Sequence, residues 1–322
     1  MTVKAIAYDA DGVQRFDDTE AAFRAPGTTW VRVTDPTVAE REAVTDRFDI
    51  HPLAVEDVQN AVRPKVEEFD SHTFLLVKAA HLARGETTFE DELLEEPVGL
   101  FVGDDWLLTL AAEEPDAVGA AWETVLAGDQ RLLRRGPDFT AYRVVDGVVD
   151  GYFGVLDGVE DRIESIEEAV VEDPDQDTLV TINHARRELL SIRKLLWPTR
   201  EAVAVLSRGD PPQIDESTEK YFRDVYDHLV QLVDLTETYR DLTSGARDIY
   251  LNVLSMSTNE VMKRLTVVAT VILPLTLVVG LYGMNFEQMP ELGWEYGYPA
   301  VLLGMLGMAL VLLAYFRREE WL

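Results

Sequence analysis

Cysteine is missing altogether from the 322 residues, which excludes disulfides, thiolate metal sites and cysteine nucleophiles. Histidine is nearly as scarce. His51, His72, His81, His184 and His228 are scattered, and no two stand at a zinc-ligand spacing such as HxxxH. Each is read as a surface or packing residue. Positive charge is also short: 29 Lys and Arg against 59 Asp and Glu give a formal net charge of −30. Nucleic acid, which needs clustered basic side chains, is therefore excluded as a partner. No nucleophile–base or metal-ligand set is suggested by spacing, so the chain is not read as an enzyme. It has no Walker A motif, and no organic cofactor is expected. The N-terminus "MTVKAIAYDADG" has no long apolar run behind a basic start, so no signal peptide is expected.

The acidity has two readings. Arginine outnumbers lysine, and the whole surface has the composition of a protein from a salt-loving organism, where carboxylates keep the chain hydrated. Alternatively, carboxylates attract divalent cations. The first reading serves for most of the acids, and the second for a few named below.

Residues 1–135 are expected to form an α/β domain. "KAIAYDADG", "TTWVRVTD", "HTFLLVKAAHL", "EPVGLFVGDD" and "WLLTLAAEE" have the composition of strands and "VAEREAVTDRF" that of a helix. Residues 136–210 hold two long amphipathic helices, 138–171 and 177–208, and "GDPP" at 209–212 closes the second. From Asp215 to Tyr282 no glycine–proline turn signal appears, and Gly245 and Pro274 can be absorbed in one long helix. Within it Leu232, Leu235, Tyr239, Leu242, Ala246, Ile249, Val253 and Met256 advance by threes and fours, a heptad seam that calls for partner helices. Residues 211–264 are read as a stalk.

Beside the seam runs a second, polar stripe: Asp241, Gly245, Asp248, Asn252, Ser255 and Asn259. It continues as Met262, Thr266, Ala269, Leu273, Thr276 and Gly280 into a stretch without charge, 265–284, long enough to cross a bilayer. Residues 298–316 form a second uncharged span, rich in small residues that permit close helix packing. In the stalk alone the polar stripe could face solvent or a wet bundle axis. Inside lipid it can face only water held in the protein. Lys263 and Arg264 precede the first span, and Arg317 and Arg318 follow the second, whereas the loop 285–297 carries Glu287, Glu291 and Glu295. The positive-inside rule then predicts both termini, including the tail 317–322, in the cytoplasm, with the short loop outside a plasma (inner) membrane.

Between the spans stands "YGMN", Tyr282 to Asn285. With "TNEVMKRLTVVATVILPLTLVVGLYGMNFEQMPEL", "YFRDVYDH" and "IHPLAVEDV", it resembles the CorA-type magnesium transporters over essentially the whole chain. The resemblance implies a funnel-shaped homopentamer whose five stalk helices become the pore. It implies a selectivity filter at Tyr282, Gly283, Met284 and Asn285, and a pore wall and gate at Asp248, Asn259, Met262, Leu273, Thr276 and Gly280. Mg2+ is small and gives up its waters slowly. A ring of amide oxygens can accept hydrogen bonds from those waters without stripping them. Gly283 is expected to permit a sharp turn. "YGMN" can also be read as a helix stop with Gly and Asn in the left-handed region.

The resemblance further implies regulatory Mg2+ bound between cytoplasmic domains, with Asp57 and Asp224 as one group and Glu56 and Asp146 as a second. Carboxylates brought together repel unless a cation bridges them, so loss of the ion loosens the ring. Co2+, Ni2+ or Zn2+ as cargo, and a non-conducting membrane-anchored cation sensor, remain alternatives.

Overall fold

The computed structural model describes residues 2–84, 91–172, 174–285 and 289–321, the side chains of 83–84 and 91–92 excepted. Glu287 lies outside the described residues. Two compact units divide the chain, residues 1–247 and 248–322.

The first unit is built on a seven-stranded sheet: β1 (Val3–Asp9), β2 (Gly12–Phe16), β3 (Thr28–Thr34), β4 (Lys65–Glu68), β5 (Thr73–Arg84), β6 (Asp91–Val102) and β7 (Trp106–Ala111). Its order is β2-β1-β3-β7-β6-β5-β4, and only the β3–β7 pair is parallel. One face is covered by α1 (Thr19–Phe23), α2 (Val38–Arg47) and α3 (Pro52–Gln59), which bury Val31, Val33, Phe74 and Leu108. The other face carries Trp30, Leu75, Leu100 and Leu107. It lies against α4 (Asp116–Leu126), α5 (Gln130–Leu133), α6 (Pro137–Glu172) and α7 (Gln176–Ser207). Cover on both sides explains why β7 is a buried apolar run rather than an alternating one. Because α6 and α7 share a core with the sheet, residues 1–135 and 136–210 are parts of one compact unit.

The helix α8 (Glu216–Tyr282) runs 67 residues without a break. At 1.5 Å per residue that is about 100 Å. Its start is fixed by buried Asp138, whose Oδ2 accepts the Asp215 N–H at 3.1 Å. Pro274 stays within the helix and leaves the Thr270 carbonyl without its intrahelical donor. The heptad seam needs a correction here. Phe222, Val225, Leu229, Leu232 and Tyr239 are buried in the chain's own core, so Leu232 and Tyr239 are satisfied without a partner helix. Leu242, Ile249 and Met256, further along, are exposed.

The second unit contains the rest of α8, a 3₁₀ turn at Pro290–Gly293 and α9 (Gly297–Arg318). Both helices hold apolar windows of spanning length, and only 6% of each window is buried. A core helix of the same composition would be covered. Val267, Val271, Pro274, Val278 and Tyr282 on α8, and Val301, Met305, Ala309, Leu312 and Phe316 on α9, are less exposed than their neighbours and follow helical rows. Val278 and Tyr282 from the first row and Val301 and Met305 from the second line one cavity near the turn.

Candidate functional site

At about 100° per residue, the less exposed row of α8 and the stripe residues Met262, Thr266, Ala269, Leu273, Thr276 and Gly280 fall on opposite sides of the helix. Every stripe position from Asp241 to Gly280 is exposed, among them Asp248, Asn259, Met262, Leu273, Thr276 and Gly280. The threonines on it are arranged in one way. Thr266 Oγ1 donates to the Met262 carbonyl at 2.7 Å and Thr276 Oγ1 to the Ile272 carbonyl at 3.0 Å. Each hydroxyl hydrogen is thereby engaged by the helix, which leaves lone pairs facing outward as acceptors. Gly280 has open space where a Cβ would stand.

Tyr282 ends α8, and the chain then closes on itself: the Gly283 N–H donates to the Val279 carbonyl at 2.9 Å and the Met284 N–H to the Leu281 carbonyl at 3.3 Å. Neither Gly283 nor Asn285 is among the residues with positive φ, so the left-handed stop does not form. The glycine instead relieves a tight contact. A Cβ at 283 would lie 3.1 Å from the Val279 oxygen. Tyr282, half-buried, lines a cavity of about 380 Å3 with Val278, Leu292, Trp294, Tyr298 and Val301, and so packs the turn against the start of α9. Met284 and Asn285 are exposed, and among the described residues no hydrogen bond occupies the Asn285 side chain.

The four acids expected to regulate are dispersed over α3, α6 and α8. Asp57 pairs with Lys65 Nζ at 2.6 Å. Glu56 is exposed and accepts from Asn60 Nδ2 at 3.4 Å. Asp224 is exposed on α8. Among the described residues no ion pair or hydrogen bond joins these three within the chain.

Asp146 is different, being 9% exposed. Its Oδ2 accepts from Arg143 Nη1 at 2.6 Å and from Tyr142 Oη at 3.3 Å. Burial, and after it the charge of Asp150, push its carboxyl above the ordinary aspartate range, against the pull of Arg143. Asp146, Asp150 and His228 each offer a ligand atom within 4.8 Å of the others'. His228 Nδ1 is buried and has no hydrogen-bond partner among the described residues. Two carboxylate oxygens and an imidazole nitrogen could hold a divalent cation that completes its shell with water; the nitrogen favours Co2+ or Ni2+, and Mg2+ would be held by the carboxylates and water.

Sequence spacing did not disclose Asp150 or His228, because the three ligands come from two helices. The available signal was the i, i+4 pair Asp146 and Asp150 on one face of α6.

Comparison with known proteins adds the following. Residues 26–318 match the family model described as CorA-like Mg2+ transporter protein. The cobalt/magnesium transport protein CorA of Thermotoga maritima is 37% identical, over 99% of this chain and 92% of its own length. That of Methanocaldococcus jannaschii is 27% identical over the full length of both. The complete structure of the latter organism's CorA magnesium transporter superposes with a TM-score of 0.85 at 24% identity, covering 100% of this chain and 99% of that one.

Proposed function

The chain belongs to the family of CorA-like Mg2+ transporter proteins, and from that premise we propose that it admits hydrated Mg2+ to the cell passively, through a pore formed by five copies of α8. The observation that carries this reading is the unbroken exposed stripe from Asp248 to Gly280, turned away from α9 and leading to an exposed amide at Asn285. Five such stripes brought around an axis form a wall of Asn259, Thr276 and Gly280. Met262 and Leu273 make the apolar constrictions, where dewetting can stop an ion. Tyr282, Gly283, Met284 and Asn285 form the mouth. The Asn285 oxygens accept from the first-shell waters of the ion, which keeps its coat. Both termini and the α/β unit lie in the cytoplasm, and α9 faces lipid.

The membrane potential supplies the drive at about 2.3 kcal/mol per charge per 100 mV, doubled for a divalent ion. Closure follows when Mg2+ is bound at the acids Asp57, Asp224, Glu56 and Asp146, with Asp150 and His228 completing the Asp146 group. When the ion leaves, uncompensated carboxylates push the subunits apart. Co2+ is a second cargo on this reading. The name of the Thermotoga maritima relative favours it.

In liposomes with an inside-negative potential, the wild type is expected to take up Mg2+, and Asn285→Ala to lose most of that flux while its α/β unit melts as before. Unchanged flux would refute the amide ring. A non-conducting sensor would show no uptake in either form.

A further inference from the structure

Near the start of α6 the charge of the protein reverses. Although acids outnumber bases 59 to 29, a cavity of about 620 Å3 is lined by Arg131, Arg134, Arg135 and Arg143, with Asp129 the sole carboxylate on its wall. Asp129 is already engaged, since its Oδ1 accepts the Arg131 backbone N–H at 2.8 Å as the cap of α5.

Arg135 is held firmly. Its guanidinium lies 4.2 Å from the Phe139 ring centroid and 4.8 Å from that of Tyr221, and Nη2 donates to Tyr221 Oη at 2.9 Å. Its Nη1 is buried and meets no acceptor among the described residues. A buried charged donor left without an acceptor is costly, and Arg135 is one of the residues that line this concave basic space. Arg131 and Arg134 stand beside it, and neither forms an ion pair among the described residues. Planar, pre-oriented guanidinium groups are the side chains that grip phosphate oxygens in pairs. The volume is in the range of small-molecule sites and exceeds what one phosphate needs.

We propose that this cavity binds the polyphosphate chain of a small molecule, such as a nucleoside triphosphate, with Arg131, Arg134 and Arg135 holding its oxygens. The consequence for regulation, which rests on the function proposed above, runs through Arg143. That side chain lines the cavity and pairs with Asp146 at 2.6 Å. A polyanion that draws Arg143 to itself removes the internal cation competing for Asp146, so anion and divalent metal assist one another.

The test uses the full-length protein in detergent and metal-depleted buffer, titrated calorimetrically with inorganic triphosphate, ATP and adenosine. Saturable binding of the first two, with none of adenosine, is expected. Equal affinities for triphosphate and ATP identify the phosphate chain alone as the ligand, and tighter ATP binding adds a nucleoside contact. The surface double variant R131Q/R134Q should melt like the wild type without ligand and bind about tenfold more weakly or worse. Absence of saturable binding at millimolar ligand, or equal affinity in the double variant, overturns the proposal. So does a double variant whose complex changes mass, because the cavity is then a contact between copies. Asp146→Asn, which frees Arg143, should tighten triphosphate binding several-fold without any metal present. Unchanged affinity there overturns the coupling whatever the fate of the transport reading.

Discussion

Asp146 shows how one side chain can be unfavourable in the metal-free protein and still serve the regulation proposed above. It is buried beside Asp150, and its carboxyl is raised above the ordinary range by that burial. A charge confined in this way opposes folding unless a cation offsets it. Asp146→Asn is therefore expected to raise the melting temperature of the metal-free protein while abolishing much of the further rise that Mg2+ gives the wild type. Calorimetry with and without the ion checks both halves. His72 makes a separate prediction about acid. Burial holds its pKa below the usual 6.5, and its ring stacks on Phe69 at 4.9 Å with Nε2 buried and without a hydrogen-bond partner among the described residues. The folded state thus binds a proton less readily than the unfolded chain. Its contribution to stability is complete above 6.5 and is lost as the pH falls below that value. Replacing it in His72→Phe should flatten the decline of melting temperature between about pH 7 and pH 5.

At the scale of elements, α8 and α9 each carry glycines that are indifferent within one chain. A Cβ at Gly280 or at Gly307 would meet nothing within 4 Å. If the stripe closes around an axis, Gly280→Leu obstructs it and should abolish most Mg2+ flux, whereas Gly307→Leu on α9 should conduct normally. Equal flux in the two would remove the stripe from the pore. The same elements show what the sequence disclosed and what it withheld. Strands β1, β3, β5, β6 and β7 were legible because they are apolar runs bounded by turn residues, and the three long helices because their periodicity is sustained. Strand β4 was not. "KVEE" has no apolar face, and it becomes a strand only because the edge of β5 accepts it, with Lys65 tied to Asp57 and Glu67. Strand β2 likewise takes its order from pairing with β1. The heptad seam was half right: the period was correct, but its early members face the chain's own core rather than a neighbour. The cluster of Asp146, Asp150 and His228 was hidden for a related reason, since its members are gathered by tertiary packing of α6 on α8.

For the whole molecule, the decisive quantity is the number of copies. Exposed apolar windows on α8 and α9 are of a length and composition that lipid can cover, and the exposed stripe is what the proposed assembly would bury around its axis. Five copies of 36.2 kDa make about 181 kDa. Native mass spectrometry of the detergent-solubilised protein should find that mass, and a single copy would exclude the pore. The continuity of α8 then matters mechanically. From Asp224 to Tyr282 α8 is one unbroken helix, about 87 Å long at 1.5 Å per residue. A tilt of one degree at its near end displaces the far end by about 1.5 Å on that length. If five copies surround a pore as proposed above, such a lever needs no relay of side chains: a slight splaying of five handles then widens or pinches the opening they share.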